Sequence, residues 1–105
     1  MIKHVENYDQ FKEEIKGTVL VDFFATWCGP FRMLSPVIEE ADERNELGID
    51  VIKVDVDLVP DAARLFMIQS IPTLLVFENG TLKNKALGYM GKPQLIDFVR
   101  KSLNK

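Results

Sequence analysis

Residues 18–25, TVLVDFFA, form an apolar run broken only by Asp22. A continuous run of that length, rather than an alternating one, is the pattern of a central strand covered on both faces. IDVIKVDV at 49–56 reads the same way, and IKHV at 2–5 is a short first strand. In PTLLVFENGTLKNKALG, residues 72–88, two strand patterns flank Asn79-Gly80, a strong short-range hairpin signal.

Helical patterns fill the intervals. In NYDQFKEEIKG, Asn7 is placed to cap the start and Gln10 to close a capping box; Phe11 and Ile15 share a face, and Gly17 marks the end. A long helix is expected from about Cys28 to Leu47, with an inner stripe of Met33, Leu34, Val37, Ile38 and Ala41. Pro36 lies inside it, where it removes a backbone hydrogen bond and should bend the axis. Pro60 suits the first turn of a short helix, PDAARLFM. Pro93 opens a last helix that turns Leu95, Ile96, Val99 and Leu103 inward.

The predicted order is βαβαβαββα. Strands alternating with helices need crossovers, which are nearly always right-handed and make parallel pairs; the hairpin adds antiparallel strands. The expectation is an α/β domain over residues 1–105, with a mixed five-stranded sheet flanked by four helices.

Composition narrows the function. The 105 residues are 47% hydrophobic and 28% charged, enough for a core without disulfides or metals. No apolar run approaches the roughly 20 residues that cross a bilayer, and MIKHVENYDQ has no apolar signal region, so a cytoplasmic protein is expected. The net charge of −3, without clustered Lys or Arg, argues against nucleic acid. One cysteine excludes an intramolecular disulfide and a multi-cysteine zinc site. His4, with no second ligand near it in sequence, reads as a strand or surface residue, so no metal is expected.

The candidate chemistry sits at Cys28, where the second strand meets the long helix. Free N–H groups and the helix dipole favour negative charge there, so a thiol is expected to react as thiolate. The alternative is a buried, inert cysteine. Asp22, in the middle of VLVDFF, is costly to bury, and desolvation should raise its pKa. Its plainer reading is a hydrogen-bonded residue that fixes local structure.

Taken together, VDFFATWCGPF, the following Pro36, KVDVD, IPTLLVFENG and Gly88 resemble the thioredoxin family across nearly the whole chain. The matching positions are Asp22, Trp27, Cys28, Gly29, Pro30, Pro36, Lys53, Ile71, Pro72, Thr73 and Gly88. The departure is Phe31, which stands where the family has its second cysteine. The resemblance implies a protein-disulfide oxidoreductase without a bound cofactor. Its partners would be disulfide-containing proteins and thioredoxin reductase. It also implies that Cys28 is the attacking residue, that Pro72 is cis, and that Trp27, Gly29, Pro30, Ile71, Pro72, Thr73 and Gly88 form a docking surface around the sulfur. Asp22, near Lys53, would exchange a proton with the second thiol, a role left without its usual partner here. For Trp27 and Ile71 the plainer reading is packing.

Phe31 decides what the chain can complete. Three residues after Cys28 it shares a helix face with it, but it supplies no sulfur. A mixed disulfide is expected to form and persist, with turnover strongly impaired. The benzyl group would either overpack the helix start or turn outward and partly cover the sulfur. Two other readings compete: a non-catalytic binding module that uses the same docking surface, and a glutathione-dependent monothiol enzyme resembling the glutaredoxins. The glutaredoxin reading has no evident basic pocket to support it. The chain is expected to be a monomer, able to form Cys28-linked dimers on oxidation.

Overall fold

Nine elements follow one another in the expected order: β1 (Ile2–Val5), α1 (Tyr8–Glu14), β2 (Val19–Phe24), α2 (Gly29–Glu43), β3 (Asp50–Asp55), α3 (Pro60–Leu65), β4 (Thr73–Glu78), β5 (Thr81–Leu87) and α4 (Lys92–Ser102). They are seen in a computed structural model that describes the backbone of residues 1–105 and every side chain except those of Pro30 and Phe31.

The five strands form one mixed sheet in the order β1-β3-β2-β4-β5. β3 pairs in parallel with β1 and β2, whereas β4 pairs antiparallel with β2 and β5. β2 is central and wholly buried, as its unbroken apolar run requires. Its side chains alternate between two cores. Val19, Val21 and Phe23 meet Phe11 of α1 and Ala62 of α3 on one face. Leu20 meets Leu34 and Ile38 of α2 and Leu95 of α4 on the other. Aromatic rings dominate the first core: Phe66 lies edge-on to Phe11 and Phe77, with centroids 5.9 and 5.5 Å away.

The hairpin turn is as its sequence demands. Asn79 and Gly80 both have positive φ, 49° and 84°, the combination required at the two central positions of a tight type I′ turn. β5, at the sheet's edge, is mostly exposed, and a bulge interrupts its register with β4 between Val76 and Phe77.

Helix ends depart from expectation for local reasons. α2 stops at Glu43 rather than reaching Leu47: Asn45 turns left-handed (φ 55°), and Glu46 N–H donates to Ala41 O at 2.9 Å, closing the helix. α3 ends in the same way. Met67 has φ 52°, Met67 N–H donates to Arg64 O and Ile68 N–H to Ala63 O. α1 ends at Glu14, before Gly17. At its start Asn7 accepts from Gln10 N–H at 2.9 Å, but the Gln10 side chain accepts from Glu6 N–H rather than from Asn7. Met33, expected in the α2 stripe, is 61% exposed; Leu34, Ile38 and Ala41 carry the inner face. Pro36 lies within α2 as expected. Among the described residues no helix is long and apolar enough to cross a membrane.

Candidate functional site

Where β2 ends, a three-residue turn, Ala25–Trp27, delivers the chain to α2. Cys28 is the N-cap residue of that helix, with extended backbone (φ −88°, ψ 123°). Its N–H donates to Ala25 O at 3.1 Å, and its C=O accepts from Arg32 N–H at 3.4 Å, so both sides of the turn are tied down. The Arg32 guanidinium reaches back to Thr26 O at 3.5 Å.

The sulfur does not cap the helix. It donates instead across the sheet's end to the carbonyl of Ile71 at 3.4 Å. Ile71 and Pro72 are joined by a cis peptide bond, as the resemblance implied. Gly88 completes this strip: its N–H donates to Pro72 O at 2.8 Å, and its φ of +83° is one that side-chain-bearing residues rarely adopt. Cys28 keeps only 9% of its surface exposed, a narrower opening than a freely reachable thiol needs.

Trp27, by contrast, is 67% exposed. Its indole N–H donates to Asp57 Oδ2 at 2.9 Å, and Asp57 N–H in turn donates to Asp55 Oδ1 at 2.9 Å. The ring is thus held over the loop that follows β3 rather than packed inward, against the plainer reading of it. Ile71 is partly buried and Pro72 buried. Thr73 is fully buried with its hydroxyl donated to Ser70 O at 2.6 Å, so its side chain is turned away from any docking surface. Gly29 has open space where a Cβ would project. The expectations for the Phe31 ring and for Pro30 as a docking surface lie outside the described side chains.

Behind the turn, Asp22 is fully buried on the face of the sheet that α2 and α4 cover. Parallel register sets it beside Lys53 of β3. Burial pushes the Asp22 carboxyl up to about 6, with the Lys53 charge partly offsetting the effect. Neither carboxyl oxygen has a hydrogen-bond partner among the described residues, so no described side chain or backbone group ties Asp22 down as the plainer reading expects. The Lys53 ammonium donates to Ser35 Oγ of α2 at 2.7 Å, and Ser35 in turn donates to Glu39 Oε1 at 3.5 Å.

Asp57, Ser35 and Glu39 were not visible as site residues from sequence. Asp57 falls inside the KVDVD motif, but its partner lies 30 positions away, and only the sheet brings the two together. His4 is exposed on β1. A surface hollow of about 440 Å³ beside it is lined by Lys3, Asp9, Gln10 and Glu13 among others, none of them in the thiol site. Among the described residues no cluster of His, Cys, Asp or Glu could hold a metal ion.

A cysteine at the β2–α2 junction, faced by a cis-proline segment on a sheet of this strand order, defines the class of thioredoxin-fold proteins. The Thioredoxin family profile matches residues 2–101, and the chain belongs to that family. It is 44% identical over 94 residues to a thioredoxin of Staphylococcus haemolyticus, covering 89% of this chain and 90% of the other. It is 39% identical over 101 residues to one of Listeria monocytogenes, covering 96% and 98%. A solved structure of Plasmodium falciparum thioredoxin superposes with a TM-score of 0.86 at 35% identity, covering 94% of this chain and 97% of that one.

Proposed function

We propose that the chain is a protein-disulfide oxidoreductase confined to the first half of thiol–disulfide exchange. The Cys28 thiolate attacks one sulfur of a partner protein's disulfide. That S–S bond breaks as the bond from Cys28 to the partner forms. The other partner sulfur leaves with the electron pair and takes a proton from water. The observation that supports this reading most directly is the position of the chain's one cysteine, at the start of α2 and beside the cis Ile71–Pro72 segment.

Release of the partner needs a second thiolate. Held in place by covalent structure, such a group can act at an effective concentration of about 10⁵ M or more when ideally oriented. Residue 31 is the position from which it would act, and phenylalanine supplies no sulfur. An external thiol such as glutathione must then resolve the adduct, and turnover falls by about 10³-fold or more. Thioredoxin reductase and cytoplasmic disulfide proteins are the partners this reading calls for. Oxidation links two copies through Cys28, since no internal thiol competes.

The test is to incubate the protein with a disulfide-bridged peptide at neutral pH and weigh the product. A one-to-one adduct lost on reduction is expected; an unmodified mass, with the thiol still titratable, overturns the reading. A second reading, non-covalent docking with an incidental thiol, draws support from the contrast between a 9% exposed Cys28 and a 67% exposed Trp27 beside it. Binding that survives Cys28→Ala undiminished would favour it.

A further inference from the structure

The Asp22 carboxyl and the Lys53 ammonium are neighbours in register on one buried face, yet no ion pair closes between them among the described residues. Two opposite charges taken out of water ordinarily converge, because each is the other's best replacement for lost hydration. Here the ammonium is engaged elsewhere. Its donor lies 2.7 Å from Ser35 Oγ, and Ser35, donating its own proton toward Glu39, has a lone pair free to accept.

We infer that Ser35 is a positioning residue: its hydroxyl holds the Lys53 ammonium off Asp22 and so sets the pH at which that carboxyl titrates. The ammonium also lies over the Phe24 ring, 5.8 Å from its centroid, but Ser35 is the group that accepts a hydrogen bond from it at 2.7 Å. The β4 residue opposite it is Leu74, and α2 and α4 present Leu34, Ile38, Leu95 and Val99 to this face. Lys53 is the charged group that acts on Asp22; Glu39 reaches it through Ser35 and Lys53, and His4 of β1 lies in register on the far side of Lys53. The raised Asp22 titration agrees with a lysine that is near but not bonded. The arrangement runs from a buried carboxyl, through an ammonium and a hydroxyl, to an exposed carboxylate. Ser35 is its one uncharged member.

This goes beyond the thiol reading and stands without it, because Cys28 is untouched in every variant and peptide trapping reports on that reading separately. The experiment follows the Asp22 side-chain carboxyl carbon by NMR from pH 3 to 10 in the full chain, with Ser35→Ala and Ser35→Thr compared to the parent. Alanine suits a helix interior, so the first variant should fold. The expected result is an Asp22 midpoint lower by about one pH unit or more in Ser35→Ala, as Lys53 swings onto the carboxylate. Ser35→Thr, which keeps the hydroxyl, should return it to the parent value. Adding Ser35→Ala to Lys53→Met should then change nothing further. An unchanged or higher midpoint in Ser35→Ala overturns the inference, as does an equal fall when Lys53 is already absent.

Discussion

The indole of Trp27 is bound to the carboxylate of Asp57, Nε1 to Oδ2, at 2.9 Å, although the two residues lie on different connections of the sheet. The bond fixes a large exposed ring beside the thiol, whose own opening is small. Asp57→Ala should leave stability within about 1 kcal/mol, since the pair is exposed. It should also free the ring, lowering Trp27 fluorescence anisotropy and slowing peptide capture by about fivefold. Unchanged anisotropy would show that the ring is held by something other than Asp57.

Phe31→Cys supplies the second sulfur that the proposed exchange lacks. Insulin reduction coupled to thioredoxin reductase should rise by about 10³-fold or more in Phe31→Cys, because an intramolecular thiolate replaces a millimolar external one. A Phe31→Cys variant as slow as the parent would refute the proposed role of residue 31.

The narrow exposure of Cys28 has a kinetic signature. Alkylation by iodoacetamide should proceed at least about tenfold more slowly in the folded chain than in urea, with a bulkier aromatic disulfide reagent discriminating more strongly. Equal rates in the two states would contradict the buried position of Cys28.

Asp22 links stability to pH. Its folded-state carboxyl titrates at about 6 against an unfolded value of 3.8. Between those values the unfolded chain has lost a proton that the folded chain retains, so stability falls as pH rises through this window. Below pH 4 the group contributes nothing; above about pH 6 to 7 the loss is complete, at about 3 kcal/mol. Asp22→Asn should therefore gain most over the parent at pH 8 and lose that advantage at pH 4. Urea denaturation at the two pH values measures the difference; an advantage independent of pH would refute the assignment.

Met67 occupies a left-handed position at the end of α3, fully suited only to glycine, with its side chain 76% exposed. Met67→Gly removes the steric cost of φ 52° and gives up little packing. A stabilisation of about 1 kcal/mol is expected, read as a higher urea midpoint with an unchanged slope. The same change at Asn45, whose side chain tolerates this conformation better, should yield only a few tenths of a kcal/mol.

Much of this architecture was legible because its signals are local. The unbroken run at β2, the Asn79-Gly80 turn and the prolines at helix starts each name an element without help from distant residues. The helix ends were less legible. Nothing in the apolar stripe distinguishes Met33 from Leu34, and only the packed sheet decides which of two neighbours turns inward. At the site, Cys28, Trp27 and the Ile71–Pro72 segment stood out through the family resemblance. Ser35 and Asp57 did not, since each acquires its partner through contacts between elements 18 to 30 residues apart.

The outer strand β5 carries a further consequence. Its free amides and carbonyls would accept a passing chain and seed fibrils, were the rim flat and greasy. Lys83 and Lys85 lie on that rim, Lys83 beside Glu78 at 3.9 Å, and the slip between Val76 and Phe77 breaks its straight line. A second rim laid against the first would have to match a broken register and desolvate charged side chains. At high concentration the fold is thus shielded from stacking strand on strand by charged side chains and one misplaced residue.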